Sequence, residues 1–392
     1  MTDFPALPRA FTPEQIQFRA SVRRLMESEF APQTARWREQ GFVDPAAMTR
    51  LGAEGLLLLW AEEDYGGLGL RDLRFVQVLQ EETVRACGAG FFHNAHSMLV
   101  GPYLDHFARP EQKARWLPGA VSGEVILGIA MTEPDTGSDL AAIRTKAEDM
   151  GDHWRLNGAK TFISYGVTGS LFVVAAKTGT GRGQISLFLV PSDAPGFSRG
   201  QHLKKIGLHE QDTGEILFTD LRLPKDALLG QEGQGFAHMT KLLAVERLMS
   251  AITSQAHAQT AFDLTHQYLL DRRAFGKPIG AFQNSHFRMA EMRAKLDAMQ
   301  AFVDACVLEA NEGALSPEAS AAAKYATSVL EGEVMDQCLQ FHGGMGFMEE
   351  TRVARMWTDA RIARIYAGTN EIMLEIIGRS LGLGDPRPAK PQ

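Results

Sequence analysis

The sequence predicts an α+β multidomain fold with three blocks: an α-helical N-terminal block (residues 1–125), a middle antiparallel β-barrel (126–232) and a C-terminal four-helix bundle (233–383), then a tail (384–392). Three observations lead there. Apolar residues recur at helical spacing through the first block. Short β-rich runs follow, separated by Gly and Thr clusters with no helical pattern between them, as in a small antiparallel barrel or sandwich. Four long amphipathic segments of similar length then close the chain, which suggests a bundle.

In order, Thr12 with Pro13 and Gln15 makes a helix opening ahead of IQFRASVRRLMESEF, where Ile16, Phe18, Val22, Leu25 and Met26 give a broad apolar face. Glycines 66, 67 and 69 break regular structure in EEDYGGLGL, and without a preceding strand this spacing is weak evidence of phosphate binding. A further helical stretch, Asp72 to Ala86, leads to HNAHSML, whose His93 and His96 read better as polar loop residues than as metal ligands, since no third ligand is close. In the middle block, WRLNGAKTFIS carries Asn157-Gly158 between extended segments, a strong hairpin signal. SLFVVAAKT, QISLFLVPSD and EILFTDLRLP are further strands. Helical segments follow near 235–273, 281–311, 317–342 and 349–380, broken at FGKPIG, at Gly313 to Pro317 and at HGGMGF. The tail DPRPAKPQ reads as disordered.

Composition narrows the function classes. Hydrophobic content of 45% and charged content of 22% are those of a globular chain. A net charge of -7 argues against nucleic acid or an anionic membrane as main partner. Three widely spaced cysteines, Cys87, Cys306 and Cys338, fit reduced buried thiols, with no CxxC pair to suggest a metal. No apolar run reaches the ~18 residues of a membrane span, and MTDFPALPRAFTPEQ has no signal or transit character. The expectation is a cytoplasmic protein.

The stretch GFAHMTKLLAVERLMSAI, Gly235 to Ile252, holds the most informative side chain. Met239, Leu242, Glu246, Met249 and Thr253 fall on one helix face, because neighbours three, four and seven apart share a side. A carboxylate on a mostly apolar stripe feels desolvation, which raises its pKa toward the range useful for moving protons. Taken alone, Glu246 reads more readily as a stripe-edge residue paired with Lys or Arg in water, since most charged helical residues are solvated.

Five segments reverse that balance. They are VILGIAMTEPDTGSDL, KTFIS at 160–164, RRAFGKPIGAFQ at 272–283, QFHGGMGF at 340–347 and IYAGTNEIM at 365–373. The first is rich in donors, with amides around Gly137 and the hydroxyls of Thr132, Thr136 and Ser138. In this order and spacing the five closely resemble the acyl-CoA dehydrogenase family, over about Phe11 to Leu383. The resemblance implies the fold of that family, FAD as cofactor and a homotetramer built as a dimer of dimers. It implies that Ile129, Met131, Thr132 and Ser138, with Phe162, Ile163 and Ser164, hold the isoalloxazine, and that Thr369 and Glu371 lie near the diphosphate and adenosine. Arg272, Phe275, Gln283, Gln340, Gly343 and Gly344 match residues reaching FAD across the subunit interface. Ser138, Arg247, Tyr366 and Gly368 match positions that face the acyl-CoA. Phe162 stands where many members have Trp.

One departure is informative. Short- and medium-chain members place a catalytic Glu directly before the Gly-Thr of the last motif, where this chain has Ala367. Long-chain and isovaleryl-type members carry it on the first bundle helix in a Glu-Arg-Leu setting, matched here by Glu246-Arg247-Leu248. The resemblance therefore implies α,β-dehydrogenation of an acyl-CoA to a trans-2-enoyl-CoA. Glu246 takes the α-proton, the Ala367 N–H helps bind the developing enolate oxygen, the β-hydride goes to flavin N5, and electrons leave to an electron-transfer flavoprotein. Medium-to-long or branched acyl chains are the expected substrates. Arg247 opposes the desolvation of Glu246, so the sequence leaves the sign of its pKa shift open. Alternatives are an acyl-CoA oxidase or flavin monooxygenase on the same fold, a carrier-protein thioester as substrate, or a non-catalytic scaffold.

Overall fold

A computed structural model describes residues 9–384; the Pro-rich tail from Asp385 lies outside them. The N-terminal part contains α1 (Pro13–Leu25), α2 (Thr34–Gln40), α3 (Pro45–Ala53), α4 (Leu73–Cys87), α5 (Gly101–Phe107) and α6 (Pro110–Ser122). The predicted opening of α1 forms as a reciprocal cap: the Gln15 N–H donates to Thr12 Oγ1 (3.3 Å) and the Thr12 N–H to Gln15 Oε1 (3.0 Å). Just before α5, residues Ala95–Val100 form a widened π-helical turn, a distortion that often marks functional sites.

The middle part is one sheet of β1 (Leu127–Ala130), β2 (Lys146–Asp149), β3 (His153–Ser164), β4 (Leu171–Lys177), β5 (Ile185–Pro191), β6 (Phe197–His202), β7 (Thr213–Pro224) and β8 (Leu228–Leu229). Its order is β6-β7-β3-β2-β4-β5-β8, with β1 beside β4. Pairings are antiparallel except β1–β4 and β2–β4, which are parallel. This corrects the expected barrel: β6 and β8 are the two ends, and no pairing among the described residues closes them. The physical reason lies in β6, which reads FSRGQH and is exposed along almost its whole length. A polar, solvated strand is an edge, not a partner for another strand.

Asn157-Gly158 also departs from expectation. It lies inside the 12-residue strand β3, where the register against β7 slips between Leu156 and Gly158. Gly158 is needed because a Cβ would collide with Thr145 on the neighbouring segment, so the pair marks a bulge and not a turn.

The C-terminal part has α7 (Gly235–Asp271), α8 (Gln283–Asn311), α9 (Pro317–Phe341), α10 (Arg352–Ala360) and α11 (Asn370–Ser380). The fourth predicted bundle helix, 349–380, is therefore two short helices. Ala367 and Gly368 interrupt it with φ of +52° and +85°, and Thr369 restarts it as an N-cap, accepting from the Ile372 N–H. None of the described helices is long and apolar enough to cross a membrane.

Alternation along β4 decides where the core sits. Leu171, Val173 and Ala175 pack into a cluster shared with the N-terminal helices and with Met239, Leu242, Leu248 and Met249 of α7, while Phe172, Val174 and Ala176 pack on the other sheet face. The early turns of α7 are thus clamped between helical block and sheet. A second tie joins all three parts: Arg38 on α2 donates to Glu210 (2.7 Å), in the loop between β6 and β7, and to Asp359 (2.9 Å) on α10. All three are largely buried.

Candidate active site

A cleft of about 180 Å³ lies between α7, the π-helical turn and the sheet. Its walls are Ala95, Leu99 and Val100 from the turn, Gly128 and Ile129 of β1, Met131 and Thr132 beyond it, Phe162, Ile163, Ser164 and Tyr165 at the end of β3, and Glu246 from α7. Seven residues singled out in the sequence, Ile129, Met131, Thr132, Phe162, Ile163, Ser164 and Glu246, meet here although they span more than a hundred positions.

The stripe on α7 explains how Glu246 arrives. Met239, Leu242, Met249 and Thr253 are buried, which turns the fifth member of their face inward. Glu246 is itself only half-buried, open to the cleft, and among the described residues no side chain or amide is hydrogen-bonded to its carboxyl. Burial pushes its pKa up to about 7, and the neighbouring Arg247, which pulls the other way, does not cancel the rise. The sign left open by the sequence is therefore upward. Arg247 is buried, and its Nε has no hydrogen-bond partner.

The opposite wall is held rigidly. Lys160, fully buried, donates from Nζ to the Met131 carbonyl (2.9 Å) and to Glu133 Oε1 (2.8 Å). Glu133 also accepts the backbone N–H groups of Arg144 (2.6 Å) and Thr145 (2.9 Å). With two amides and an ammonium on it, Glu133 is held as a carboxylate below its ordinary range against the opposing effect of burial, a clamp and not a base. The Thr161 N–H donates to the Thr132 carbonyl (3.0 Å), tying β3 to the segment that follows β1. Gln211 Nε2 holds Ser164 Oγ at 2.6 Å.

Backbone strain gathers at the same place. Phe162 and Tyr165 have φ of +57° and +60°, conformations disfavoured for bulky side chains and typical of functional segments. Phe162 is left 67% exposed, an aromatic face held open where no core packing asks for it. That face and the fixed backbone edge of residues 129–132 suit a flat heteroaromatic group, so the residues present fit the isoalloxazine of FAD.

Other expected site residues lie outside this cleft. Ser138 is exposed on the loop after β1. Tyr366, Ala367 and Gly368 form the turn before α11, where Tyr366 stacks on Phe92 (centroids 6.2 Å apart). The Ala367 N–H is paired with no acceptor among the described residues. Thr369 caps α11, and Glu371 is exposed in its first turn. Arg272, Phe275, Gln283, Gln340, Gly343 and Gly344 are all exposed, Phe275 at 95%.

The sequence reading missed Ala95, Leu99, Val100, Gly128 and Tyr165. Ala95 and Leu99 are four apart on a helical turn, so their shared face was available, but the two histidines drew the reading. Contrary to the expectation of polar loop residues, both histidines are buried in helical backbone: His93 Nε2 lies 3.0 Å from Thr83 Oγ1 with its Nδ1 unpaired, and His96 Nε2 lies 3.0 Å from the Ala120 carbonyl while its Nδ1 accepts the Leu127 N–H.

Comparison with known proteins bears on this arrangement directly. The family descriptions for the N-terminal, middle and C-terminal domains of acyl-CoA dehydrogenase match residues 12–124, 128–221 and 233–382. The chain is 38% identical to the mitochondrial long-chain specific acyl-CoA dehydrogenase of Sus scrofa over 385 residues, 97% of this chain and 89% of that one. An acyl-CoA dehydrogenase structure from Geobacillus kaustophilus superposes with a TM-score of 0.94 at 40% identity, covering 96% of this chain and all (100%) of that one. A glutaryl-CoA dehydrogenase from Mycobacterium smegmatis, solved in complex with FADH2, superposes at 0.90 with 25% identity, covering 96% and 97%. The half-buried carboxyl on α7, lining one cleft with residues 129–132 and 162–165, thus sits in a chain that belongs to the acyl-CoA dehydrogenase family.

Proposed function

We propose that this enzyme of acyl-CoA dehydrogenase type is FAD-dependent and removes hydrogen from Cα and Cβ of an acyl-CoA thioester to give the trans-2-enoyl-CoA, passing electrons to an electron-transfer flavoprotein. The observation that carries the reading is Glu246: an unpaired carboxyl with a pKa near 7 in the cleft that the flavin-motif residues line.

An α C–H of a thioester is weakly acidic, so its base must be desolvated, close and ionised near neutral pH. Glu246 has the first property through burial and the last because Arg247 restrains the rise of its pKa. The unpaired Ala367 N–H is free to donate to the thioester oxygen as negative charge develops there. Phe162, the backbone of 129–132 and Ser164 would hold the flavin ring. FAD, when bound, supplies the hydride acceptor that no side chain provides. The exposed set Arg272, Phe275, Gln283, Gln340, Gly343 and Gly344 supports a site completed by a second copy, in a dimer or a dimer of dimers.

The test is anaerobic bleaching of the purified flavoprotein by a panel of acyl-CoA thioesters. We expect medium-to-long or methyl-branched chains to outperform butyryl-CoA. Bleaching by no acyl-CoA would overturn the dehydrogenase reading, and a preference for butyryl-CoA would overturn the chain-length reading. Rapid reoxidation of the reduced enzyme by oxygen would point to an oxidase instead.

A further inference from the structure

Ala367 and Gly368 are consecutive residues in the left-handed region. For alanine that conformation costs roughly 1–2 kcal/mol, and the turn's own backbone does little to hold it: its main anchor is the Tyr366 N–H to the Ile362 carbonyl (3.1 Å). Besides the stack of Tyr366 on Phe92, what grips the turn comes from α9. Lys324 is completely buried, and its Nζ donates to the Gly368 carbonyl (2.7 Å) and to Asn370 Oδ1 (3.0 Å). Asn370 Oδ1 also accepts from Ser328 Oγ (3.1 Å), which fixes the asparagine from the same helix. Both acceptors of the ammonium are neutral. Among the described residues no carboxylate forms an ion pair with it, although Glu371 and Glu331 lie near enough to favour its charge.

Burying an ammonium on neutral oxygens is expensive, and an apolar side chain in the same space would stabilise α9 more cheaply. A buried cation retained on such terms needs a local task. We infer that Lys324 is a positioning residue that holds the Tyr366–Thr369 turn in its left-handed form, keeping the Ala367 N–H unpaired and aimed as a preformed donor for the thioester oxygen. This rests on the dehydrogenase reading above. With Lys324 removed, the turn can relax toward ordinary φ values, and the donor moves while Glu246 stays where α7 puts it.

The experiment compares wild type, Lys324→Met and Lys324→Gln as holoenzymes. The readout is the absorption band of bound dimethylaminocinnamoyl-CoA, which shifts to the red when its thioester carbonyl is polarised by fixed donors. We expect a clear red shift in the wild type and most of it lost in Lys324→Met, with FAD content and probe affinity retained. Turnover of a good acyl-CoA should fall about 10–100-fold with KM little changed. Lys324→Gln, which keeps an N–H donor, should recover part of the shift. An unchanged band and turnover in Lys324→Met, or variants that both fail to fold or to retain FAD, would overturn the inference, the latter by making the lysine a stabilising core residue. If the wild type itself neither bleaches with acyl-CoA nor shifts the probe, the failure belongs to the dehydrogenase reading.

Discussion

On the proposed reading, the pH dependence of flavin reduction follows from the half-buried carboxyl of Glu246. Glu246 is raised from the ordinary 4.5 to about 7, a difference worth about 3 kcal/mol at 1.36 kcal/mol per pKa unit. Only the ionised form can take the α-proton. About one molecule in ten is ionised at pH 6 and about nine in ten at pH 8, so the reduction rate at limiting substrate should rise roughly tenfold between them. A base at its ordinary pKa would give a flat profile there. Because the folded pKa lies above the unfolded one, the protonated form stabilises the fold: that stability is fully present below pH 4.5 and is lost as pH rises through about 7. Arg247 opposes the rise, so Arg247→Gln should move the inflection to higher pH. The assay is anaerobic stopped-flow bleaching from pH 5.5 to 8.5. A flat wild-type profile, or an inflection in Arg247→Gln at lower pH, would refute the reasoning.

Three further outcomes are expected. Lys160→Met leaves Glu133 buried on two amides without its cation, so the loss should be about 3–5 kcal/mol, read as a lower melting temperature and weaker FAD retention; an unchanged melt and flavin content would count against the clamp. Arg38→Met leaves Glu210 and Asp359 facing each other without a cation and should destabilise by a similar amount, measured by thermal melting; no change would mean that the three parts are not joined there. Sedimentation of the holoenzyme should show an oligomer, and a monomer that holds FAD tightly would refute the shared site.

What the sequence made legible follows the reach of each signal. The α7 stripe is local, because burial of Met239, Leu242 and Met249 follows from helical spacing, and it delivers Glu246 inward. Whether burial or Arg247 decides the carboxyl's pKa depends on the depth of the cleft, which no spacing encodes. Ile129 and Phe162 were found through motifs and not through any pattern that links strands β1 and β3. Ala95, Leu99 and Val100 were missed because apolar lining of a cleft looks like core in one dimension. Asn157-Gly158 carries a strong local turn signal, yet β7 pairs with β3 on both sides of it and Thr145 requires the glycine, so tertiary pairing overrides the local preference. The barrel expectation of short antiparallel strands holds for most pairings but not for β1–β4 and β2–β4, nor for β3 and β7, which run to 12 residues. Closure depends on the two ends meeting, and the polar β6 gives no sign of a partner.

The most direct test of the account is the reductive half-reaction of Glu246→Gln. Glutamine keeps the volume and the packing on the α7 stripe but cannot take a proton. General-base loss typically lowers rates by ~10²–10⁴-fold, and anaerobic bleaching by the best acyl-CoA should fall to the upper end of that range or beyond, with FAD still bound. Placing Glu at Ala367 in the same variant should restore part of the rate from the other family position, with a changed chain-length preference. Near-native bleaching by Glu246→Gln would contradict the assignment of Glu246 as the base.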